Sequence, residues 1–215
     1  MGGVVVWGAM GQAKVLHEAL AGTAHRIVLL VDNRDLDSPL LGIPIVKGEV
    51  GLSEWLGNRS NSEELFGAVA VGGARGGDRI ALMDVLRAHA LRPLTVIHRT
   101  AFVAANAELG EGCQVMAQSA VCACVRLGDG VIVNTAASVD HDCVIGRGAH
   151  IGPGARLAGE IVVGDRAFIG TGAVVLPRVR VGDDAIVGAG AVVTKDVHVG
   201  ETVVGNPARS HRMKG

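Results

Sequence analysis

The sequence predicts an α/β domain with a small Rossmann-like parallel sheet over residues 1–96, followed by a parallel β-helix of hexapeptide repeats over residues 97–215. Two patterns support this prediction. Strand-like and helix-like segments alternate in the first part of the chain, whereas an aliphatic residue returns every six positions in the second. The composition changes near residue 97, and a chain of 215 residues is long enough for two cores.

The opening segment, GVVVWGAMGQAKVLHEAL, predicts a strand, a glycine turn and a helix. Val4–Val6 are β-branched, Gly8 and Gly11 lie in the turn, and apolar residues then recur at helical spacing. A second buried strand, RIVLLVD, ends at Asp32, about 20 residues after the glycines, where a dinucleotide-type unit places an acid for a ribose or base. Further on, FGAVAVGG predicts a strand, GGDRIALMDVLRAHA a helix with Asp78 near its N-cap, and PLTVIH a last strand.

The carboxyl ends of these strands predict a ligand crevice. In an open α/β sheet such ends face one crevice, and here Asp32–Asn33 and Gly72–Gly73 close two strands. The amides of Gly11–Gln12, at the start of a helix, suit a phosphate. The turn Gly8–Ala13 fits only part of the G-x-G-x-x-G pattern, and strand-to-helix turns need glycine anyway. The combination of features, and not the turn alone, predicts a nucleotide.

An aliphatic residue returns every six positions from Ile97 to Val199, eighteen positions in all. A small or aliphatic residue follows four places after each, and glycine recurs every eighteen residues from Gly110 to Gly200. A six-residue period with an eighteen-residue superperiod predicts stacked coils with three flat faces, which is a triangular parallel β-helix. Six coils fit between residues 97 and 204.

The composition excludes some classes of partner. A net charge of −1 without a basic stripe, and few aromatic residues, predict no nucleic-acid partner. The start of the chain lacks a charged leader, and no apolar run approaches the roughly 18 residues that span a bilayer, which predicts a cytoplasmic protein without a membrane partner. Four cysteines without a C-x-x-C pair predict free thiols and no metal site, with Cys113 and Cys143 facing inward.

The segment VNTAASVDHDCVIGRGAHIG contains a histidine between two aspartates. His141 occupies an outward corner position of the hexad that begins at Val139, and one coil later the same position is Gly159. Because coils stack at roughly 4.8 Å, the imidazole is expected beside a backbone N–H that no side chain covers. A base next to an exposed donor suits acyl transfer. Asp142 is a candidate acceptor for the far ring nitrogen, and Asp140 is an equally near one.

These motifs resemble a known family. GAMGQAKV, the VDN strand end, VNTAASVDHDCVIG and the closing GNPAR are similar to the sugar-nucleotide acetyltransferases of the left-handed β-helix superfamily, which include bacillosamine and perosamine N-acetyltransferases and sialic acid O-acetyltransferases. The likeness covers both domains in order. It implies a left-handed helix and transfer of acetyl from acetyl-CoA to a nucleotide-linked amino sugar, GDP-perosamine being the expected one, in O-antigen biosynthesis. It also implies a homotrimer with acetyl-CoA between subunits.

The resemblance implies roles for individual residues. His141 is the implied general base, Asp142 its support, and Gly159 the amide that stabilises the oxyanion and borders the cofactor. Backbone groups near Thr171 and Ala189, one coil apart, are the implied pantetheine contacts. The implied sugar-nucleotide residues are Gly8, Met10, Gly11, Gln12, Asp32, Asn33 and Gly73. Many relatives carry His in place of Gln12, so the role of this side chain at the phosphates is open.

Other functions stay open at the level of sequence. The alternatives are a UDP-linked amino sugar at the same site, and O-acetylation of a sugar such as sialic acid, which leaves the nucleotide-type domain without a role. A zinc carbonic anhydrase on the same helix needs three histidines near one subunit junction, whereas Ala123 and Gly159 flank His141 one coil either side. A non-catalytic scaffold would bind neither acetyl-CoA nor a sugar nucleotide.

Overall fold

The chain begins with a small α/β unit, seen in a computed structural model that describes residues 2–59 and 63–211. Its elements are β1 (Gly2–Trp7), α1 (Gly11–Ala19), β2 (His25–Asp32), β3 (Ile45–Lys47), α2 (Gly48–Gly57), β4 (Leu65–Val69), α3 (Gly76–Ala88) and β5 (Arg92–Pro93). The strands form one parallel sheet in the order β3-β2-β1-β4-β5, which is the order of a doubly wound sheet. This confirms the predicted Rossmann-like unit. The sequence did not predict β3 and α2.

Helices cover both faces of the central strand β1. Val4 packs with Leu16 of α1 on one face, and Val5 packs with Met83 and Leu86 of α3 on the other. A strand that is buried on both faces needs apolar side chains at successive positions, which explains why β1 is continuously hydrophobic instead of alternating. The two helices fix the sheet so that the carboxyl ends of β1, β2 and β4 face one crevice.

The predicted last strand, PLTVIH, is divided between two sheets, so this prediction is wrong in part. Arg92–Pro93 pairs with β4, whereas Val96–Ile97 pairs with Gln114–Val115 of the following coil. The chain leaves the first sheet at Leu94 and continues into the β-helix. Aliphatic residues suit both sheets, so their pattern does not reveal the crossing. The domain division between residues 96 and 97 remains a proposal.

The rest of the chain winds into a parallel β-helix, as predicted. Partner strands follow the eighteen-residue period, as in the pairing of Ile132 with His150. The three faces are sheets in the orders β24-β23-β21-β18-β15-β12-β9-β6, β22-β19-β16-β13-β10-β7 and β20-β17-β14-β11-β8. The strands are β6 (Val96–Ile97), β7 (Phe102–Val103), β8 (Glu108–Leu109), β9 (Gln114–Val115), β10 (Ala120–Val121), β11 (Arg126–Leu127), β12 (Ile132–Val133), β13 (Ser138–Val139), β14 (Val144–Ile145), β15 (His150–Ile151), β16 (Arg156–Leu157), β17 (Val162–Val163), β18 (Phe168–Ile169), β19 (Val174–Val175), β20 (Arg180–Val181), β21 (Ile186–Val187), β22 (Val192–Val193), β23 (Thr202–Val204) and β24 (Arg209–Ser210).

The predicted aliphatic column fails at its two ends. Ile97 is 44% exposed and Val199 is 71% exposed, whereas the positions from Val103 to Val193 are buried or half-buried. Ile97 lies in the first coil, at the open end of the stack. At the other end Val181 bridges Val197, two residues earlier than the period predicts, so that Val197 faces inward in place of Val199.

Three rows of turns form the corners of the prism, and α3 packs on one of them. The first corner comprises 116–118, 134–136, 152–154, 170–172 and 188–190, the second 122–124, 140–142, 158–160 and 176–178, and the third 110–112, 128–130, 146–148, 164–166 and 182–184. On the third corner Gly112, Gly130 and Gly148 have φ of 66°, 65° and 66°. A Cβ at Gly112 or Gly130 would meet Met83 of α3, and one at Gly148 would meet Gly76. Glycine therefore satisfies both the left-handed backbone and the close approach of α3.

Within the described ranges, no helix has the length and apolar character that crossing a membrane requires.

Candidate active site

A cavity of about 650 Å³ lies at the carboxyl ends of β1, β2 and β4. Its lining includes six of the seven predicted sugar-nucleotide residues, namely Gly8, Met10, Gln12, Asp32, Asn33 and Gly73. Gly11 is outside the lining and exposed at the start of α1. In the described part of the chain the amides of Gly11 and Gln12 donate to no acceptor, as expected for the free N–H groups of a first helical turn. The cavity thus lies where the carboxyl ends of the strands meet the N-terminus of α1.

The β-helix supplies the opposite wall of this cavity through Asn134 and His150, which sequence reasoning missed. His150 is 4% exposed, its Nδ1 accepts the Gly73 N–H at 2.8 Å and lies 3.3 Å from the Gly73 carbonyl oxygen, and its Nε2 lies 3.0 Å from the side-chain amide of Asn134. Burial, followed by the charge of Arg79, lowers the pKa of His150 to about 4, so the ring is neutral at neutral pH. One signal was present: His150 is a polar residue between Ile132 and Phe168 in its column of stacked positions.

Asp32 lies at the crevice, but hydrogen bonds within the protein already saturate its carboxylate. Oδ1 accepts from the Arg34 backbone N–H at 3.1 Å and Nε at 2.9 Å. Oδ2 accepts from the Ala9 N–H at 3.0 Å and Arg34 Nη2 at 3.0 Å. The Arg34 contacts hold the pKa of Asp32 at about 2. Four donors fill the lone pairs of a carboxylate, so Asp32 presents Arg34 to the cavity instead of accepting from a ligand itself.

Arg34 lines the cavity with a free edge. The side-on edge, Nε and Nη2, binds Asp32, whereas Nη1 has no partner in the described part of the chain. Guanidinium N–H groups point outward in a rigid plane, so Nη1 and the second N–H of Nη2 form a two-donor edge. Sequence reasoning missed Arg34, although it follows Asp32–Asn33 directly.

The amide of Gln12 is oriented by a chain of hydrogen bonds. Gln114 Nε2 donates to Val69 O at 2.7 Å, so Gln114 Oε1 is left to accept from Gln12 Nε2 at 2.7 Å. A backbone carbonyl only accepts, and this fixes the direction of both amides. One N–H and the carbonyl oxygen of Gln12 remain for a ligand.

His141 lies on the second corner, after β13, and its side chain is 53% exposed. Its Nδ1 is 2.8 Å from Asp142 Oδ2, whereas Asp140 Oδ1 accepts the His141 backbone N–H at 2.8 Å. The structure thus gives the two aspartates different parts: Asp142 contacts the ring and Asp140 contacts the turn. The hydrogen bond to Asp142 raises the pKa of His141, with smaller contributions from the charges of Asp140, Asp142 and Glu160.

Gly159 lies one coil beyond His141, as the period predicts. A Cβ at Gly159 would overlap His141 Nε2, so any other residue would displace the imidazole. The Gly159 N–H donates to no acceptor in the described part of the chain. The nitrogen of the ring that is free of Asp142 therefore faces a corner with an unoccupied amide.

Cys143 and Cys122, which lie near this corner, are not poised as nucleophiles. Cys143 is fully buried, as predicted, and burial raises its pKa to about 11. Burial, followed by the nearby carboxylate of Asp140, raises the pKa of Cys122. A thiol needs its thiolate form to attack. All four cysteines are free, as predicted, and residues 2–59 and 63–211 contain no group of three His, Cys, Asp or Glu side chains able to hold a metal.

Thr171 and Ala189 lie on the first corner, one above the other, and both are exposed. Gly172 and Gly190 follow them with φ of 67° and 66°, and nothing lies within 4 Å of a Cβ placed on either glycine. The amides of Thr171 and Ala189 donate to no acceptor within the described ranges. This row therefore offers a bare edge of backbone groups beside open space.

His141 does not line the 650 Å³ cavity. Asn134, on the first corner, borders the cavity, and the strand Ser138–Val139 separates it from His141 on the second corner. One chain therefore carries the nucleotide-type cavity and the base at two different corners of the prism.

Comparison with known proteins supplies the class. A family model described as bacterial transferase hexapeptide (six repeats) matches residues 160–195. The chain is 38% identical to PerB from Caulobacter crescentus in complex with CoA and GDP-perosamine, over 99% of this chain and 98% of that chain, with a TM-score of 0.87. A perosamine N-acetyltransferase variant from the same organism, with one histidine replaced by asparagine, holds the same two ligands, at 38% identity over 99% and 98% of the chains and a TM-score of 0.90. The acetyltransferase domain of PglB from Neisseria gonorrhoeae, in complex with acetyl coenzyme A, is 36% identical over 97% of this chain and 98% of that chain, with a TM-score of 0.85.

No curated protein sequence gives a significant match. The solved structures, however, match both domains over nearly their full length. The chain belongs to the left-handed β-helix sugar-nucleotide acetyltransferase family, which confirms the resemblance seen in its motifs and the left hand of the helix. The relatives in this family include the perosamine N-acetyltransferase of C. crescentus.

Proposed function

We propose that this protein transfers the acetyl group of acetyl-CoA to the amino group of a GDP-linked amino deoxysugar, GDP-perosamine. One observation carries the proposal: His141 faces the free amide of Gly159, in a chain 38% identical over 99% of its length to an enzyme whose structure holds CoA and GDP-perosamine. A base beside an unoccupied donor is the arrangement that acyl transfer requires.

The proposed reaction is direct transfer. The amine nitrogen attacks the thioester carbonyl of acetyl-CoA, His141 Nε2 takes a proton from that nitrogen, and the Gly159 N–H stabilises the oxyanion of the tetrahedral intermediate. The C–S bond then breaks, and the proton passes to the departing CoA sulfur. Asp142, at 2.8 Å from Nδ1, holds the ring in the tautomer that leaves Nε2 free. The raised pKa of Cys122 and of Cys143 makes both thiols poor nucleophiles, which supports direct transfer without an acyl-enzyme on either of them.

Arg34 supports a guanine nucleotide. Its free edge has two donors side by side, and guanine presents two adjacent acceptors, O6 and N7, to such an edge. Uracil alternates acceptor and donor along its pairing edge and offers no matching pair. The carboxyl end of β2 is the base and ribose side of a nucleotide-binding sheet, while the glycine turn and α1 serve the phosphates. The free edge of Arg34 therefore lies on the side where the base is expected.

The assembly that we propose is a homotrimer. The bare edge at Thr171 and Ala189 would hold the pantetheine arm, and a cofactor of this length needs a second wall that one chain lacks. A neighbouring copy related by threefold symmetry supplies such a wall. We also propose a cytoplasmic location, where acetyl-CoA and nucleotide sugars are made.

The proposed function is tested by assaying CoA release with GDP-perosamine and with a UDP-linked 4-amino sugar, on the wild type and on Arg34→Ala. We expect the wild type to prefer the GDP sugar. Arg34→Ala should raise KM for the GDP sugar roughly tenfold or more with little change in kcat, because a bidentate contact to a base is worth about 1–3 kcal/mol. Mass spectrometry of the product should show one added acetyl group, stable to mild base as an amide is and an ester is not.

The ratio between the two nucleotides is the internal control. If Arg34 binds phosphate, Arg34→Ala weakens both nucleotides equally, and the assignment of the base fails. If neither sugar is acetylated by the wild type and acetyl-CoA does not bind, the proposed function is wrong.

A further inference from the structure

Arg79 is a buried arginine that binds only backbone carbonyls. It lies in the first turn of α3 and is fully buried. Nε donates to Gly130 O at 2.7 Å, Nη1 donates to Val71 O at 2.7 Å, and Nη2 donates to Gly148 O and, at 3.3 Å, to Ala149 O. Within residues 2–59 and 63–211 no carboxylate pairs with it.

The burial of this charge is not explained by packing. Moving a guanidinium out of water is costly, and an apolar side chain of similar volume would fill the same space without that cost. Burial lowers the pKa of Arg79 to about 10, so the group is still charged at neutral pH. The residue therefore combines a fixed positive charge with a rigid set of donors at one place in the molecule.

That place is the back of the cavity. The acceptor Val71 O comes directly before Gly72–Gly73, which line the cavity from the first domain. The acceptor Ala149 O comes directly before His150, which lines it from the β-helix. The two backbone segments meet where the Gly73 N–H donates to His150 Nδ1 at 2.8 Å. One guanidinium thus holds both sides of the contact that joins the two walls.

The bond from the Gly73 N–H to His150 depends on a neutral imidazole. The neutral ring accepts this N–H through Nδ1 at 2.8 Å, whereas a protonated Nδ1 can only donate, to the Gly73 carbonyl oxygen at 3.3 Å, and would lose the shorter bond. Arg79 is the charged group that approaches His150 from α3 and opposes its protonation. The charged side chains that share the cavity lining are Asp32, Arg34 and Arg75, and the neighbours on the β-helix, Asn134 and Phe168, are neutral.

We propose that Arg79 is a positioning residue for the sugar nucleotide, which fixes the Gly72–Gly73 wall of the cavity against His150 without touching the ligand. The identity of the ligand rests on the proposed function, but the contact between the walls does not. The guanidinium sets the spacing of the two backbone segments, and its charge adds to burial in keeping His150 in the form that accepts the Gly73 N–H.

The electrostatic part is tested by NMR titration of the His150 ring proton in the free protein, assigned with a His150→Gln variant. In the wild type we expect His150 to stay neutral down to about pH 5, well below an ordinary histidine near 6.5. Arg79→Met, which keeps the volume and removes the charge, should raise the His150 pKa by about one unit or more. Arg79→Lys keeps the charge and should restore a low value.

The positioning part is tested by kinetics on the same variants. Arg79→Met should raise KM for the sugar nucleotide roughly tenfold while KM for acetyl-CoA stays within about twofold, because the lost hydrogen bonds from a charged donor lie behind the sugar-nucleotide cavity and not at the edge formed by Thr171 and Ala189. Arg79→Lys lacks the planar set of guanidinium donors, so its KM for the sugar nucleotide should return only part of the way to the wild-type value. The matched control is Arg87→Met, further along α3, where the guanidinium pairs with Asp84 and Glu111 and contacts neither wall. It should leave both KM values and the His150 titration unchanged.

An arginine that serves stability alone gives a different result. Both Arg79 variants would then lower the unfolding temperature, with the His150 pKa and both KM values unchanged, and the inference would be overturned. If Arg79→Met does not fold, Arg79→Lys and the wild type still decide the matter: a wild-type His150 that titrates near 6.5, or an unaltered sugar-nucleotide KM in Arg79→Lys, also overturns it. The NMR titration needs no substrate, so it tests the role of Arg79 even if the proposed function is wrong. Failure of the proposed function would appear in the activity assays alone.

Discussion

The basicity of His141 is set by one carboxylate. Asp142 accepts from Nδ1 at 2.8 Å and is the largest cause of the raised pKa of His141. A general base works only when it is deprotonated, so a raised pKa moves the acid limb of kcat to higher pH. The gain is a stronger base, and the cost is a smaller deprotonated fraction at slightly acidic pH. A carboxylate in this place thus suits an enzyme that works near or above neutral pH.

The pH profile of Asp142→Asn tests this arrangement. Loss of the carboxylate lowers the pKa of His141, so the acid limb of kcat should shift to lower pH than in the wild type, while the plateau falls because the ring is a weaker and less fixed base. His141→Asn, which keeps the size of the side chain, should lower kcat by roughly 10² to 10⁴ with smaller changes in KM. Both are measured as kcat against pH with saturating substrates.

Asp140→Asn is the matched control for this profile. Asp140 accepts the His141 backbone N–H and contributes to the pKa of His141 only through its charge, so its removal should shift the limb in the same direction by less. A His141→Asn protein with near wild-type kcat would contradict the assignment of the base. An acid limb that stays in place in Asp142→Asn would contradict the part given to Asp142.

At the scale of single residues, the sequence predicts which residues stack next to each other better than it predicts which side chains form hydrogen bonds. The hexad period predicted that Gly159 lies beside His141, because a period fixes which residues stack. It left Asp140 and Asp142 as equal candidates, since the choice depends on where the two carboxylates point, which the pattern does not encode. Asp32 was predicted as a ligand contact, but Arg34, two residues on, occupies its oxygens.

At the scale of elements, the third corner shows how α3 packs on the β-helix. Gly112, Gly130 and Gly148 repeat every eighteen residues with left-handed backbone, and α3 lies on them. The eighteen-residue period predicts the glycine column that begins at Gly110, but not this second column two residues later, which marks the docking face. PLTVIH is predicted as one strand, because aliphatic residues are equally suited to either sheet. Periods therefore predict coils well, whereas crossings between sheets need tertiary contacts.

A pair of glycine substitutions separates docking from backbone strain. Gly148 and Gly154 have φ of 66° and 67°, so alanine at either position carries a similar left-handed penalty, about 1–2 kcal/mol. A Cβ at Gly148 would lie 3.0 Å from Gly76 O and from Ile80 Cγ1, whereas one at Gly154 has nothing within 4 Å. Gly148→Ala should therefore lower the unfolding temperature more than Gly154→Ala, when both are measured by calorimetry at the same scan rate. Equal shifts would mean that α3 adjusts freely and that the glycine column is set by the turn alone.

At the scale of the whole molecule, the chain divides its functional groups between corners. The cavity is bounded by the first domain and by Asn134 and His150, whereas His141 lies beyond the next strand and outside the cavity lining. A sugar nucleotide whose amine is to reach His141 needs both. We propose that in the trimer the cavity of one copy faces the second corner of its neighbour, so that each site would be made by two chains.

Mixed trimers test this shared site. His141→Asn keeps an intact cavity, and Arg34→Glu keeps an intact His141 while its reversed charge prevents binding of the nucleotide. If each site pairs the cavity of one chain with the base of the next, every trimer that contains both inactive variants has one site of three in which both halves are intact, so mixed trimers should show about a third of the wild-type activity. If cavity and base act within one chain, every site in the mixture has one defect, and activity should stay at the level of the separate variants. The measurement is kcat of tag-purified mixed trimers, with the two variants mixed after assembly as the control, because chains that do not exchange form no shared sites.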